Sequence, residues 1–316
     1  MLLGILLGAA LILALLSALA VGGPTEHPPE HRTYDPFPYM DLTELPPLQR
    51  FTARDGQELA YRTYDSAEPG RGSVVLVHGT ASTSDCFHPL SKAIAEAGFQ
   101  AFALDLRGHG GSGASGRIRF IGQLEGDLED FLGEVKPPGP TTLLGFSGGG
   151  GFTLRVAAGP IQDRFDRYVL LAPFIHEKAP TMRPGNGGWA SVGLGRIRAL
   201  SLLNAVGIRT FNHLPVWIFA VSDRARAQLT HTYTYNLAAN LCPPRDYLAA
   251  IRGIHRPLQV LVGAADKVFR AEAFAQVFRE AGSQAQITLI PGAGHADLIT
   301  KPGAIQAIVD ALLEKN

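Results

Sequence analysis

Three side chains, far apart in the chain, have the types that together activate a hydroxyl. Ser147 stands in Gly145-Phe146-Ser147-Gly148-Gly149, Asp266 follows Gly263-Ala264-Ala265, and His295 follows Gly292-Ala293-Gly294. A serine hydroxyl is a weak nucleophile until a base takes its proton. An imidazole near neutral pH can take that proton and return it to a leaving group. A carboxylate behind the ring fixes its tautomer and stabilises the imidazolium. Attack on a carbonyl also creates an oxyanion, which needs hydrogen-bond donors at the same spot.

Such a set works only if the fold brings it together. Residues 141–146 read as a strand and 151–158 as a helix, so Ser147 lies on the turn between them. In a turn that sharp, side chains two positions either side of the serine collide with backbone. Gly145 and Gly149 remove them. The serine is then held in a strained conformation with its hydroxyl presented outward. The Gly148 N–H, at the helix N-terminus, points at the developing oxyanion. Asp266 comes just after a predicted strand at 258–262, and His295 just after one at 286–290. All three then share the rim formed by strand C-terminal ends, where parallel sheets bind ligands. A second oxyanion donor is expected after the strand at 73–77, in His78-Gly79-Thr80-Ala81, as the backbone N–H of Thr80.

Each residue has a plainer reading. An aspartate after a strand usually caps a turn, and a histidine there is usually a loop residue. It is the ordered set that argues for chemistry. Asp297 is a rival acid, but it is too close in sequence to His295 to sit behind the ring. A glycine-rich strand-to-helix turn can also bind phosphate. No G-K-[ST] follows this one, and no G-x-G-x-x-G falls in frame at the first strand. His78 reads as a brace for its loop. Residues 105–112, D-L-R-G-H-G-G-S, read as a hydrogen-bonded support for the rim.

The remaining pattern is α/β. A hairpin is expected around Asp55-Gly56, with strands at 50–53 and 58–64. Strands at 73–77, 100–104, 141–146 and 168–172 alternate with helices at 89–97, 121–135 and 151–158, implying a mostly parallel sheet covered on both faces. From 174 the alternation stops. Residues 174–243 are expected to form a helical cap, with helical patches at 197–206 and 225–238. Its Trp189, Leu194, Leu200, Leu202, Leu203, Phe211, Leu214, Trp217, Ile218 and Phe219 suggest an apolar acyl pocket, although any one of them is more simply explained as packing. The core then comprises 49–173 and 244–316, with helices at 244–251, 271–281 and 304–313.

Composition narrows the function. With 28 basic and 28 acidic residues in 316, the net charge is zero and no basic run offers a nucleic-acid surface. Residues 2–23 contain no charge and are mostly Leu, Ala, Ile and Val. About 20 apolar residues span a bilayer core, so segment 1–23 is expected to be an uncleaved signal anchor. The alternative is a signal peptide cleaved near Ala18-Leu19-Ala20. The Pro-rich 24–48 reads as a linker, and the catalytic part is expected on the outer, periplasmic side of a bacterial inner membrane. Cys86 and Cys242 lack metal-site spacing and read as two free thiols, one disulfide being the alternative.

In order, V-H-G-T, D-L-R-G-H-G-G-S, G-F-S-G-G, G-A-A-D-K and G-A-G-H resemble the α/β-hydrolase superfamily. The chain is most similar there to lysophospholipase- and monoacylglycerol-lipase-like serine hydrolases, often grouped with serine aminopeptidases. The resemblance covers residues 51–313. It implies an eight-stranded sheet, no cofactor or metal, and acyl transfer through a serine ester. One departure is S-G-G-G where relatives commonly carry S-M-G-G or S-L-G-G, so a missing side chain at Gly148 is expected to loosen the elbow or widen the acyl pocket. Hydrolysis of lipid-like acyl esters is the leading expectation. Peptidase or amidase, thioesterase, perhydrolase and carbon–carbon hydrolase chemistry, and a non-catalytic scaffold, are the alternatives.

Overall fold

The computed structural model describes residues 2–25, 40–68, 70–183, 190–221 and 229–314, with the side chains of the first helix described from Leu7 onward. Its core is one eight-stranded sheet. In chain order the core strands are β1 (Gln49–Thr52), β2 (Glu58–Tyr64), β3 (Ser73–Val77), β4 (Gln100–Leu104), β5 (Thr141–Phe146), β6 (Arg167–Leu171), β10 (Leu258–Gly263) and β11 (Gln286–Ile290). Across the sheet they run β1-β2-β4-β3-β5-β6-β10-β11. β2 pairs antiparallel with both β1 and β4, and the other pairings are parallel.

The central strands are buried on both faces, which their sequences require. β3 is S-V-V-L-V with every residue buried, and β10 is likewise buried throughout. Continuous β-branched and leucine runs suit a sheet sandwiched between helices. Helix α2 (His88–Glu96) starts with proline in its first turn and stops before Gly98, at φ 96°. Helix α3 (Gln123–Val135) packs through Leu124, Leu128 and Phe131. The Phe131 ring lies 5.4 Å from Phe51, 5.4 Å from Tyr61 and 5.6 Å from Phe102, all near edge-on. Each such pair contributes about 0.5–1.5 kcal/mol beyond its buried area, so α3 is fixed against the antiparallel end of the sheet. Helices α4 (Gly148–Ala157), α7 (Tyr247–Arg252), α8 (Phe274–Glu280), α9 (Asp297–Thr300) and α10 (Pro302–Leu313) complete the core layers.

The region between β6 and α7 departs from the expected helical cap by adding a sheet. β7 (Ala190–Val192), β8 (Pro215–Phe219) and β9 (Thr232–Thr234) form a separate three-stranded antiparallel sheet, flanked by α5 (Leu194–Ala205) and α6 (Tyr235–Leu241). The reason is local. P-V-W-I-F is β-branched and aromatic, which favours a half-buried strand. The strands either side of it are three residues long, too short to show a period. Where a helix is expected over 225–238, β9 precedes α6; residues 222–228 lie outside the described part, as do Trp189 and most of the 24–48 linker. Side chains tie this cap to the core. Asn240 Oδ1 accepts the Gly122 N–H at 2.8 Å, and Asn236 Nδ2 donates to the Arg119 carbonyl at 2.7 Å.

Helix α1 (Leu2–Val21) docks its C-terminal end on α5. Arg196 Nε donates to the Leu19 carbonyl at 2.8 Å and Nη2 to the Ala20 carbonyl at 3.0 Å, so a cap arginine satisfies carbonyls that a helix end leaves free. Among the described residues no helix is long and apolar enough to cross a membrane. Cys86 and Cys242 are both free thiols.

Candidate active site

β5 ends at Phe146 and α4 begins at Gly148, so the chain reversal falls on Ser147. That residue sits at φ 55°, ψ −117°, a conformation that persists only where its surroundings impose it. Three bonds do so. The Ser147 N–H donates to the Leu171 carbonyl at 2.9 Å, while the Ser147 carbonyl accepts from Phe174 N–H at 2.9 Å and Gly151 N–H at 3.1 Å. The flanking glycines are required by close approach. A Cβ on Gly145 would overlap Thr153 Oγ1 and the Gly149 carbonyl; one on Gly149 would overlap the Val77 and His78 carbonyls at the end of β3.

The structure brings Ser147, His295 and Asp266 together. His295 Nε2 lies 2.9 Å from Ser147 Oγ, and Nδ1 lies 2.8 Å from Asp266 Oδ2. Asp266 is 2% exposed and His295 8%. Burial works to raise the Asp266 carboxyl. The facing His295 outweighs it, together with the Phe269 and Val268 N–H groups that donate to Oδ1 at 2.9 and 2.7 Å, and the carboxyl is held below the ordinary aspartate range. An ionised Asp266 only accepts, so Nδ1 carries the proton and Nε2 is left to accept from the Ser147 hydroxyl. Asp297 plays another part: its Oδ2 accepts from the Gly294 N–H at 2.7 Å and from Lys301 Nζ at 2.8 Å, closing the loop that carries His295.

Two amides stand close together at this corner. Gly148 is the first residue of α4, so its N–H has no intrahelical acceptor. The Thr80 nitrogen stands 3.1 Å from the point a Gly148 Cβ would occupy. Among the described residues no hydrogen-bond acceptor is found for the Thr80 N–H. Thr80, Ser147 and Gly148 all line a cavity of about 440 Å³ under the cap, whose far walls include Ile197, Val216, Trp217, Phe219 and Leu241. No group of three or more candidate metal ligands exists among the described residues.

The family profile of "Serine aminopeptidase, S33" (Hydrolase_4) matches residues 68–300, most of the chain. The chain belongs to this family of α/β hydrolases. Among its relatives, the monoacylglycerol lipase of Mycolicibacterium smegmatis is 31% identical over 130 residues, 40% of this chain and 46% of that protein. The monoglyceride lipase of Saccharomyces cerevisiae is 28% identical over 151 residues, 44% and 48% of the two chains. The aligned stretch thus spans about half the length of these curated relatives. A crystal structure of a soluble variant of the yeast monoglyceride lipase, in complex with a substrate analog, superposes with a TM-score of 0.66 at 19% identity, over 88% of this chain and 97% of that one. At that identity the superposition shows the shared fold.

In this member of the α/β-hydrolase family several supporting residues carry no sequence motif. The His295 ring lies between Phe146 and Phe269, with centroids at 4.8 and 5.4 Å, which limits its rotation. Arg183 donates to the Asp266 carbonyl at 3.0 Å and the Phe269 carbonyl at 3.1 Å, holding the acid loop. Tyr233, on β9 of the cap, accepts the Ala81 N–H at 2.7 Å and bonds His109 Nε2 at 2.6 Å. Ala81, at φ 66°, follows Thr80, so a cap hydroxyl fixes the strained end of the loop that carries the Thr80 amide. His78 accepts the Leu106 N–H at Nε2, so its Nδ1–H donates to the Gly79 carbonyl at 2.8 Å. Both imidazoles are buried, and burial lowers their basicity, His109 most of all. They are neutral braces between the two loops. Of the apolar cap residues singled out in the sequence, Leu194, Trp217 and Phe219 line the cavity; Leu200 is buried in packing, and Leu202 and Phe211 are exposed.

Proposed function

We propose that this α/β hydrolase cleaves carboxylic esters with lipid-like acyl chains, of monoacylglycerol or lysophospholipid type, through an acyl-enzyme on Ser147. The observation that carries the reading is that the Ser147–His295–Asp266 chain of hydrogen bonds opens into an apolar cavity of about 440 Å³. In the first step Ser147 Oγ attacks the ester carbonyl carbon while His295 Nε2 takes its proton. The carbonyl oxygen becomes an oxyanion facing the Thr80 and Gly148 N–H groups. The carbon–oxygen bond to the alcohol then breaks and His295 returns the proton to that alcohol. Water repeats the sequence on the acyl-enzyme and releases the acid. Each oxyanion donor contributes about 2.7–4 kcal/mol to a barrier of this kind.

The two relatives bearing lipase names support the substrate class, as do the cavity walls. A peptidase acting on free amino termini needs acidic groups to hold the ammonium. Glu177 is the single acid among the described lining residues, and its side chain is 65% exposed. A series of p-nitrophenyl esters from acetate to palmitate tests the reading. Burial of each methylene is worth about 0.8 kcal/mol, so kcat/KM is expected to climb up to roughly fourfold per methylene until the cavity is filled. A flat or falling series would overturn the lipid-like assignment.

We further propose that residues 1–23 hold the protein at a membrane, with the catalytic domain on the outer side. Leu7, Leu11, Ile12, Leu13 and Leu16 of α1 are each more than half exposed, a poor arrangement in water and a good one in lipid. The helix meets α5, which lines the acyl cavity, so the anchor and the cavity wall are neighbours. Intact-mass measurement of protein extracted from membranes is expected to give the full chain. A mass lacking the first twenty or so residues would replace the anchor with a cleaved leader.

A further inference from the structure

We propose that the side-chain hydroxyl of Thr80 is a third oxyanion donor, and that glycine at position 148 is what admits it. The inference rests on the serine-ester reading above. A side chain at 148 is expected to be missed, through a looser elbow or a wider pocket. The structure places another group in that space: a Cβ built on Gly148 would overlap Thr80 Oγ1. The hydroxyl thus rests against the backbone of the residue that follows the nucleophile. It is next to one oxyanion amide, Gly148, and belongs to the same residue as the other.

Three features make it a donor to the reacting atom rather than a packing group. Thr80 is half-buried and lines the cavity with Ser147 and Gly148, so its side chain faces the substrate space. Its backbone is fixed, since the next residue, Ala81, is held by the Tyr233 hydroxyl at 2.7 Å. Its Oγ1 has no hydrogen-bond partner among the described residues, unlike the Tyr233 and Thr230 hydroxyls nearby. A hydroxyl proton rotates freely, so it can turn to an oxyanion as charge develops and relax when the carbonyl re-forms. No bond in Thr80 breaks; one O–H···O⁻ hydrogen bond forms on attack and is lost on collapse. A donor oriented in this way, away from water, acts mainly on the transition state.

The test compares Thr80→Val, which keeps shape and removes the hydroxyl, with Thr80→Ser, which keeps the hydroxyl. Both are assayed on a medium-chain p-nitrophenyl ester and titrated with an alkyl boronic acid, which forms a tetrahedral boronate on serine. The valine variant is expected to lose roughly 10²-fold in kcat with KM within about threefold, and to bind the boronic acid at least tenfold more weakly. The serine variant is expected within about threefold of the native protein on both. If Thr80→Val does not fold, Thr80→Ala replaces it with the same expectation. Valine with native kcat and native boronate affinity overturns the inference, and so does an equal loss in valine and serine, which would mark a packing role. Failure of the ester reading looks different: native protein that binds boronate with the valine penalty yet turns over no ester would leave this inference standing and remove that one.

Discussion

Replacing Ser147 by alanine is expected to lower kcat for ester hydrolysis by about 10⁵–10⁶-fold while the protein stays folded. The size follows from the chemistry: without Oγ no acyl-enzyme forms, and what remains is the help the oxyanion amides and the cavity give to attack by water. Retention of the fold follows from the structure. The bonds that impose φ 55° on residue 147 are made by its backbone, to Leu171, Gly151 and Phe174, and alanine keeps all of them. The hydroxyl's own bond is the 2.9 Å contact to His295, so its loss leaves one cavity-facing imidazole nitrogen to water. Thermal unfolding within a few degrees of the native midpoint, beside lost turnover in a steady-state assay, is the expected pair of results. Turnover within tenfold of native in a preparation free of native protein would place the nucleophile elsewhere.

Asp266→Asn is expected to cost about 10⁴-fold in kcat with little change in KM. The asparagine carbonyl can still accept from the Val268 and Phe269 amides, as Oδ1 does at 2.7 and 2.9 Å. Its NH₂ then faces His295 Nδ1, where Oδ2 stood at 2.8 Å. An amide donor there makes Nδ1 the acceptor and drives the imidazole proton to Nε2. The wrong tautomer then faces Ser147 and cannot take its proton. The same substitution changes acid stability in a definite direction. The folded Asp266 carboxyl titrates below its unfolded value of about 3.9. It therefore contributes stability above that pH, and the contribution is lost as pH falls through the lowered folded value. Asparagine should flatten this acid limb in denaturant titrations run between neutral pH and about pH 3. A variant with native kcat would show that the carboxylate is not the orienting group.

How much of this could be read from the sequence depends on how local each cause is. The elbow was legible because its glycine spacing stands in one short stretch: Gly145 is a glycine on account of Thr153 and the Gly149 carbonyl, which the turn itself brings near, whereas the Val77 and His78 carbonyls that crowd Gly149 come from the neighbouring strand. The central strands were legible because burial on both faces leaves a continuous apolar run, as in Ser73–Val77 and Leu258–Gly263. The cap was not. Its strands of three, five and three residues gain stability from one another and from the core, through Asn236, Asn240 and Tyr233, and no short-range pattern encodes such pairings. The clamp on His295 was likewise hidden. Phe146 and Phe269 look like ordinary strand-end and loop aromatics until the sheet closes them on the ring. Gly148 was visible as a departure, but its reason, the Thr80 hydroxyl from a loop 68 positions earlier, appears only in three dimensions.

The most direct measurement of the central claim uses a fluorophosphonate whose phosphorus takes the place of the acyl carbon. The full chain is treated until labelling stops, the digest is weighed, and ester turnover is followed in parallel. One adduct per chain on the peptide carrying Ser147, with turnover lost in proportion to labelling and no adduct in Ser147→Ala, is the predicted result. Ester turnover that survives complete modification of Ser147, or a stoichiometric adduct on a different residue, would contradict it.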